Sequence, residues 1–273
     1  MQTGSVTPAR VATACPPGHG DEGVDPGVRG KCLLALGSVQ YWQLSFAEAL
    51  ECYDHAQQLF GQAGDQAAQA EATYDRAFVL VLLDRYDEGR RAFGEALARY
   101  RSLGDARGQA NALGGVALST FVAGDHDRAV AVAEEALDAL TRVGNPFEVA
   151  NATALLATTM RGAGLIDEAE RLVAEAIRSS VALGSVAGVA WGLADAAELA
   201  LMRGDVRRAA VLGGALTTLD DSRYPRVPRH VLRHRALTDL VREHPSCADD
   251  WERGRAMTMD EAVELAAGTG RPT

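Results

Sequence analysis

Glycines stand at positions 64, 104, 144 and 184, forty residues apart each time, inside the phrases AGD, LGD, VGN and LGS. A second series of turn signals, Asp84, Gly124, Gly164 and Gly204, falls halfway between them. Each unit is therefore two segments of about twenty residues separated by breakers. Within the segments apolar residues return every three or four positions, which is the period of a helix. The unit is a helical hairpin, and the chain is an array of them.

Small residues keep the register more tightly than the glycines do. Gly37, Ala77, Ala117, Ala157 and Ala197 form one column, and Ala49, Gly89, Ala129, Ala169 and Ala209 a second. Ala56, Ala96, Ala136 and Ala176 form a third. Side chains this small let two helix axes approach closely. Phe46, Tyr86, His126, Ile166 and Val206 then mark the start of each second helix, where a larger group wedges the hairpin. Five such units are predicted between residues 30 and 219.

These three small-residue columns, with a glycine between the helices, resemble the tetratricopeptide repeat family; the best match is ANALGGVALSTFVAGDHDRAVAVAEEAL at 110–137. The forty-residue period departs from that family's usual 34. It looks like the variant in large bacterial transcriptional activators of the maltose-regulator type. RRAAVLGGALTTL (207–219) and DDWERGRAMTMDEAVELA (249–266) resemble the tail of the helical region in actinobacterial LuxR-type ATP-dependent regulators. The resemblance implies an all-α, right-handed superhelical solenoid of five hairpins with a C-terminal helical cap. The ATPase and DNA-binding functions of those regulators do not carry over. A phosphate loop needs Gly-Lys-Ser/Thr, and the single lysine, Lys31, is followed by Cys32; no DNA-binding role is expected of the tail.

A formal charge of −10 disfavours nucleic acid as a partner. The cysteines Cys15, Cys32, Cys52 and Cys247 form no CxxC pair, so a reduced, cytoplasmic setting is expected. VATAC, ending at Cys15, has the look of a lipoprotein cleavage site, but Pro8 and Arg10 interrupt any apolar region before it. FVLVLL (78–83) is too short to cross a bilayer. Cys32 and Cys52 fall on predicted helices and are read as small core residues.

In a tetratricopeptide superhelix the first helix of each unit lines a concave groove. By that resemblance one groove column holds Lys31, Glu71, Asn111, Asn151 and Trp191. Neighbouring columns supply Leu34 and Tyr74, Phe78 and Glu198, then Tyr41, Phe121 and Arg161, with Trp42 beside them. Aromatics with a few polar groups make a ligand or peptide surface. Tyr41, Trp42, Tyr74, Phe78, Asn111, Phe121, Asn151, Arg161 and Trp191 are the candidate binding residues; the competing reading is that several aromatics pack between units. Asp195 and Glu198 share a helix face, and Glu71 with Asp75 is a second carboxylate pair that could lie opposite. Paired carboxylates can do acid-base work when one pKa is raised.

Residues 1–29, rich in proline and glycine, read as a tail, and residues 220–273 as capping helices. One cap is expected over 229–243 and another from Thr258, where Thr-Met-Asp-Glu makes a capping box with Glu261. His230 and His234 are four apart, but HVLRH lacks the glutamate of HExxH and arginines surround it, so no metal is expected. Those arginines, with Arg223 and Arg226, are read as a solvated face. The sequence points to a non-catalytic binding or regulatory module, without cofactor or membrane, whose partner is a peptide, a protein or a small effector. The alternative is a repeat scaffold recruited as an enzyme of specialised metabolism, using Glu71, Asp75, Asp195 or Glu198.

Overall fold

The phrases that carry the repeat do two jobs at once. In the structure, a computed structural model describing residues 25–221 and 247–268, Gly64, Gly104, Gly144 and Gly184 take the left-handed backbone conformation, φ 66° to 82°, that ends a helix. The polar residue after each then caps the next helix: Asp65 accepts from the Ala68 amide at 3.0 Å, Asp105 from Gly108 at 2.9 Å and Ser185 from Gly188 at 3.2 Å. Asn145 takes the amides of Phe147 and Glu148. Stop and start signals are thus fused in two residues.

The result, among the described residues, is twelve helices and no strand. Five hairpins come first: α1 (Pro26–Trp42) with α2 (Phe46–Ala63), α3 (Gln66–Leu82) with α4 (Tyr86–Leu103), and α5 (Ala106–Val122) with α6 (His126–Val143). Next come α7 (Pro146–Gly162) with α8 (Ile166–Ala182), and α9 (Val186–Met202) with α10 (Val206–Asp221). Two short helices close the described chain, α11 (Ala248–Ala256) and α12 (Met259–Ala266). The first helix opens at Pro26, inside the stretch read as tail, because Asp25 caps it at the Val28 amide and proline at a first helical position sacrifices no hydrogen bond.

The chain divides into two compact units after Ser119, within α5. In the first, α1 to α4 pack in sequence, each on the next. In the second, α6 to α10 do the same, and α7 also touches α9. All three small-residue columns are buried where helices meet. Gly37 lies so close under the Tyr53 ring that a methyl group there would collide with it. Tyr74, Phe78 and Phe93 form an edge-to-face trio with centroids 4.9 to 5.7 Å apart in the core of the first unit. The second core centres on Ile177, Leu193, Leu199, Leu212 and Leu216, with Trp251, Met259 and Val263 of the cap packed against it.

The cap differs from the sequence reading. Thr258 and Glu261 form the capping box foreseen for α12, and Arg208 of α10 donates to the end carbonyls of α12, Leu265 and Ala266. Between α10 and α12, however, the chain inserts α11, a helix the sequence did not announce. The helix expected over 229–243, with His230, His234 and their arginines, lies outside the described residues, as does Cys15. Cys52 is fully buried, and burial, with the Glu51 and Glu48 charges, raises its thiol to about 11, which disfavours the thiolate. Cys32 is exposed, against expectation. Its equivalents Ala72, Ala112 and Ala152 are covered, whereas no hairpin precedes α1 among the described residues.

The turn inside each hairpin puts one residue at positive φ: Gly124, Gly164 and Gly204, but Leu44 (φ 61°) and Asp84 (φ 60°) in the first two. A side chain at that conformation costs about 1–2 kcal/mol, and a branched leucine gains nothing local in return. Leu44→Gly is therefore expected to stabilise the first unit by about 1 kcal/mol, read as a higher urea midpoint with unchanged slope.

Candidate functional site

Helices α7 and α9 each carry one end of a buried polar network. Arg161, in the last turn of α7, reaches across to α9, where its Nε donates to Asp195 Oδ1 at 3.1 Å and its terminal nitrogen pairs with Glu198. The Thr158 hydroxyl, one turn earlier, lies 2.7 Å from Asp195 Oδ2 and accepts from the Trp191 indole N–H at 3.2 Å. Arg161 and Asp195 are only 7% and 4% exposed, which makes the pair part of the interior. Burial pushes Asp195 up to about 6, against the opposing pull of Arg161 and Thr158; the nearby Glu198 charge adds to the rise. Two carboxylates share one guanidinium here, and desolvation makes that arrangement costly to break.

The expected groove residues therefore separate into two kinds. Arg161 is buried and bonds across from α7 to Asp195 and Glu198 of α9. Phe121 is also buried, 7% exposed, its ring 5.2 Å from His126 and pressed on Gly162. Tyr74 and Phe78 belong to the core trio, as the packing alternative has it. What remains open in the second unit is Asn151, exposed on α7, and Trp191, half-buried on α9. Lying forty positions apart in the repeat, they sit on neighbouring helices. Asn111 is half-buried on α5.

The other carboxylate pair belongs to the first unit. Glu71 is exposed and Asp75 half-buried, one turn apart on α3. Burial first, then the Glu71 charge, pushes Asp75 up to about 7. Tyr41 of α1 is raised by burial and by Asp75, and Tyr53 of α2 and Tyr100 of α4 also feel the Asp75 charge. The Tyr41 ring meets those of Trp42 and Phe46 edge-on, at 5.4 and 6.0 Å. Trp42 is 53% exposed. Tyr53 donates to the Ser38 hydroxyl, which donates to the Leu34 carbonyl. The two carboxylate pairs thus lie in separate compact units, each with its own surroundings.

An open cleft of about 590 Å³ in the second unit was not foreseen. Asp167, Glu170, Arg171, Glu175 and Arg178 of α8 line it together with Arg208 of α10, with the end of α12 as a wall. Its lining comes largely from second helices, which the groove reasoning passed over. Two of its carboxylates, Asp167 and Glu170, also pair with Arg203. Among the described residues no cluster of His, Cys, Asp and Glu could hold a metal, and no helix is long and apolar enough to cross a membrane.

A family model described as tetratricopeptide repeat matches residues 69–142. No curated protein matches the chain. Solved structures do. One is a Rap protein complexed with competence and sporulation factor, 16% identical, with a TM-score of 0.65 over 90% of this chain and 73% of that one. A second is the Rap conjugation gene regulator of the plasmid pLS20 in complex with the Phr* peptide, 15% identical, with a TM-score of 0.55 over 94% of this chain and 80% of that one. BtubC from P. vanneervenii is 19% identical, with a TM-score of 0.56 over 85% and 94%. The fold is that of tetratricopeptide-like solenoids.

Proposed function

We propose that the protein is a non-catalytic regulatory module that binds a peptide segment through first helices of its hairpins. The observation that carries this reading is how the polar residues on α7 and α9 are used. Asp195, Arg161 and Thr158 bond to one another, which fixes the two helices, while Asn151 and the Trp191 ring stay accessible beside them. A rigid platform bearing an amide and an indole suits an extended chain, whose backbone needs hydrogen-bonding partners and whose side chains need an aromatic surface. Two of the similar structures are Rap proteins with a peptide bound. The forty-residue period and the α10 to α12 sequence, like those of large bacterial regulators, support a regulatory role in the cytoplasm.

Selection of a displayed random-peptide library on the whole chain, followed by calorimetric titration of enriched peptides, tests the reading. Saturable binding in the micromolar range is expected. Asn151→Ala and Trp191→Ala should each weaken it by about 1–3 kcal/mol, the cost of truncating an interface anchor. No enriched peptide, or equal affinity for both variants and the parent, overturns the proposal.

A further inference from the structure

The repeat makes the two carboxylate pairs comparable position by position. Asp75 and Asp195 are 120 residues apart, three periods of forty, so they occupy the same place in their hairpins. The same step carries Thr158 back to Ser38, Trp191 to Glu71, and Arg161 to Tyr41. At Asp195 the register is filled from within, because the Arg161 guanidinium donates to its Oδ1 and the Thr158 hydroxyl meets its Oδ2. At Asp75 the arginine's place holds Tyr41, and Ser38 turns its hydroxyl proton to the Leu34 carbonyl. Among the described residues no cation pairs with Asp75. Glu71 stands one turn away on the same helix, α1 with Tyr41 packs against α3, and the hydroxyls of Tyr41, Tyr53 and Tyr100 all feel the Asp75 charge.

We infer that Asp75, Glu71 and Tyr41 form a subsite for a cationic side chain, arginine before lysine, presented by a bound peptide. The incoming group takes at Asp75 the position that Arg161 takes at Asp195. Two carboxylates, one half-buried and one exposed, supply the charge, and the Tyr41 ring, with the exposed Trp42 set edge-on to it, supplies aromatic surface suited to a guanidinium. A carboxylate that burial and the neighbouring Glu71 charge disfavour in its ionised form gains more from a cation than a solvated one does. Among the described residues, then, one copy of the motif is closed by its own arginine and the other is not.

This inference rests on the peptide-binding reading for its occupant, so the test uses a probe smaller than a peptide. The whole chain, with its tyrosine rings labelled, is titrated by NMR with Nα-acetyl-arginine methylamide, the lysine equivalent, and the citrulline equivalent, which has arginine's shape without its charge. Expected is saturable millimolar binding of the arginine probe that shifts the rings of Tyr41, Tyr53 and Tyr100, with lysine weaker and citrulline at least tenfold weaker. Asp75→Asn should lower the arginine affinity at least tenfold, and Tyr41→Arg, which rebuilds the Arg161 arrangement, should abolish it by filling the site. Equal binding of arginine and citrulline, unchanged affinity in a folded Asp75→Asn, or no saturation by arginine overturns the inference. Probe binding without any enriched peptide keeps the subsite and removes the peptide reading; enriched peptides that bind Asp75→Asn as well as the parent do the reverse.

Discussion

Replacing Arg161 by leucine is expected to destabilise the second unit by about 3–5 kcal/mol, because it leaves buried carboxylate charge without its cation. Asp195 would keep the Thr158 hydroxyl but lose the guanidinium that shares its interior position. The loss should be pH-dependent, and its sign can be fixed. The Asp195 pKa in the folded protein, about 6, lies above its ordinary value of 3.8. A carboxylate raised in this way adds stability that is complete below the ordinary value and is lost as pH rises through the folded value. In the parent this gives a decline between about pH 4 and 6. Without Arg161 the opposing pull disappears, so the decline steepens and extends upward. Adding Asp195→Asn and Glu198→Gln to Arg161→Leu should recover most of the midpoint and flatten the profile. Urea denaturation of the three proteins from pH 4 to 8 checks this; an Arg161→Leu chain as stable as the parent at pH 8 would show that the network contributes nothing to the packing of α7 on α9.

The same arginine shows where the sequence stops being legible. The hairpin array could be read because its signal recurs: a small residue returns to each column every forty positions, and all three columns are buried where helices meet. The candidate site does not recur, so it had to be projected from a column, and a column says which helix face a residue is on but not what lies opposite. Arg161 and Phe121 share a column with Tyr41, and all three were read as groove residues. The structure gives them three fates: an internal ion pair, a ring tilted against His126, and a ring beside an aspartate that no cation pairs with among the described residues. The distinction depends on a partner 34 residues further along, Asp195 for Arg161 and Asp75 for Tyr41, while the equivalent position after Phe121 is Leu155. Charge at both offsets could have been noticed, since Arg161 with Asp195 is the only such cation–carboxylate pair in these two columns. Cys32 misled for a related reason, because a periodic signal does not say which repeat is left uncovered among the described residues.

Helix α11 was missed because its stability comes from a contact rather than from its own pattern. ADDWERGRA has no apolar stripe, and its buried residues are Asp250 and Gly254. What holds it is the approach of two backbones: a methyl group on Gly254 would run into the carbonyl oxygen of Val211 in α10, and one on Gly214 into the carbonyl oxygen of Trp251. Glycine normally weakens a helix interior by about 0.5–1 kcal/mol relative to alanine. Here the sign reverses. Because backbone rather than a flexible side-chain end stands in the way, Gly254→Ala should force α10 and α11 apart and cost at least about 3 kcal/mol, the upper end for overpacking. The Trp251 ring, which rests against Gly213, would lose its seat in the core of the second unit. Gly94→Ala supplies the contrast, since that position in α4 is exposed and opens on empty space; it should stabilise by about 0.5–1 kcal/mol. Thermal unfolding followed by Trp251 fluorescence, with Trp42 and Trp191 replaced by phenylalanine in every chain compared, reads the first effect, and circular dichroism reads the second. If Gly254→Ala melts with its background, the close approach of α10 and α11 is not what anchors the cap.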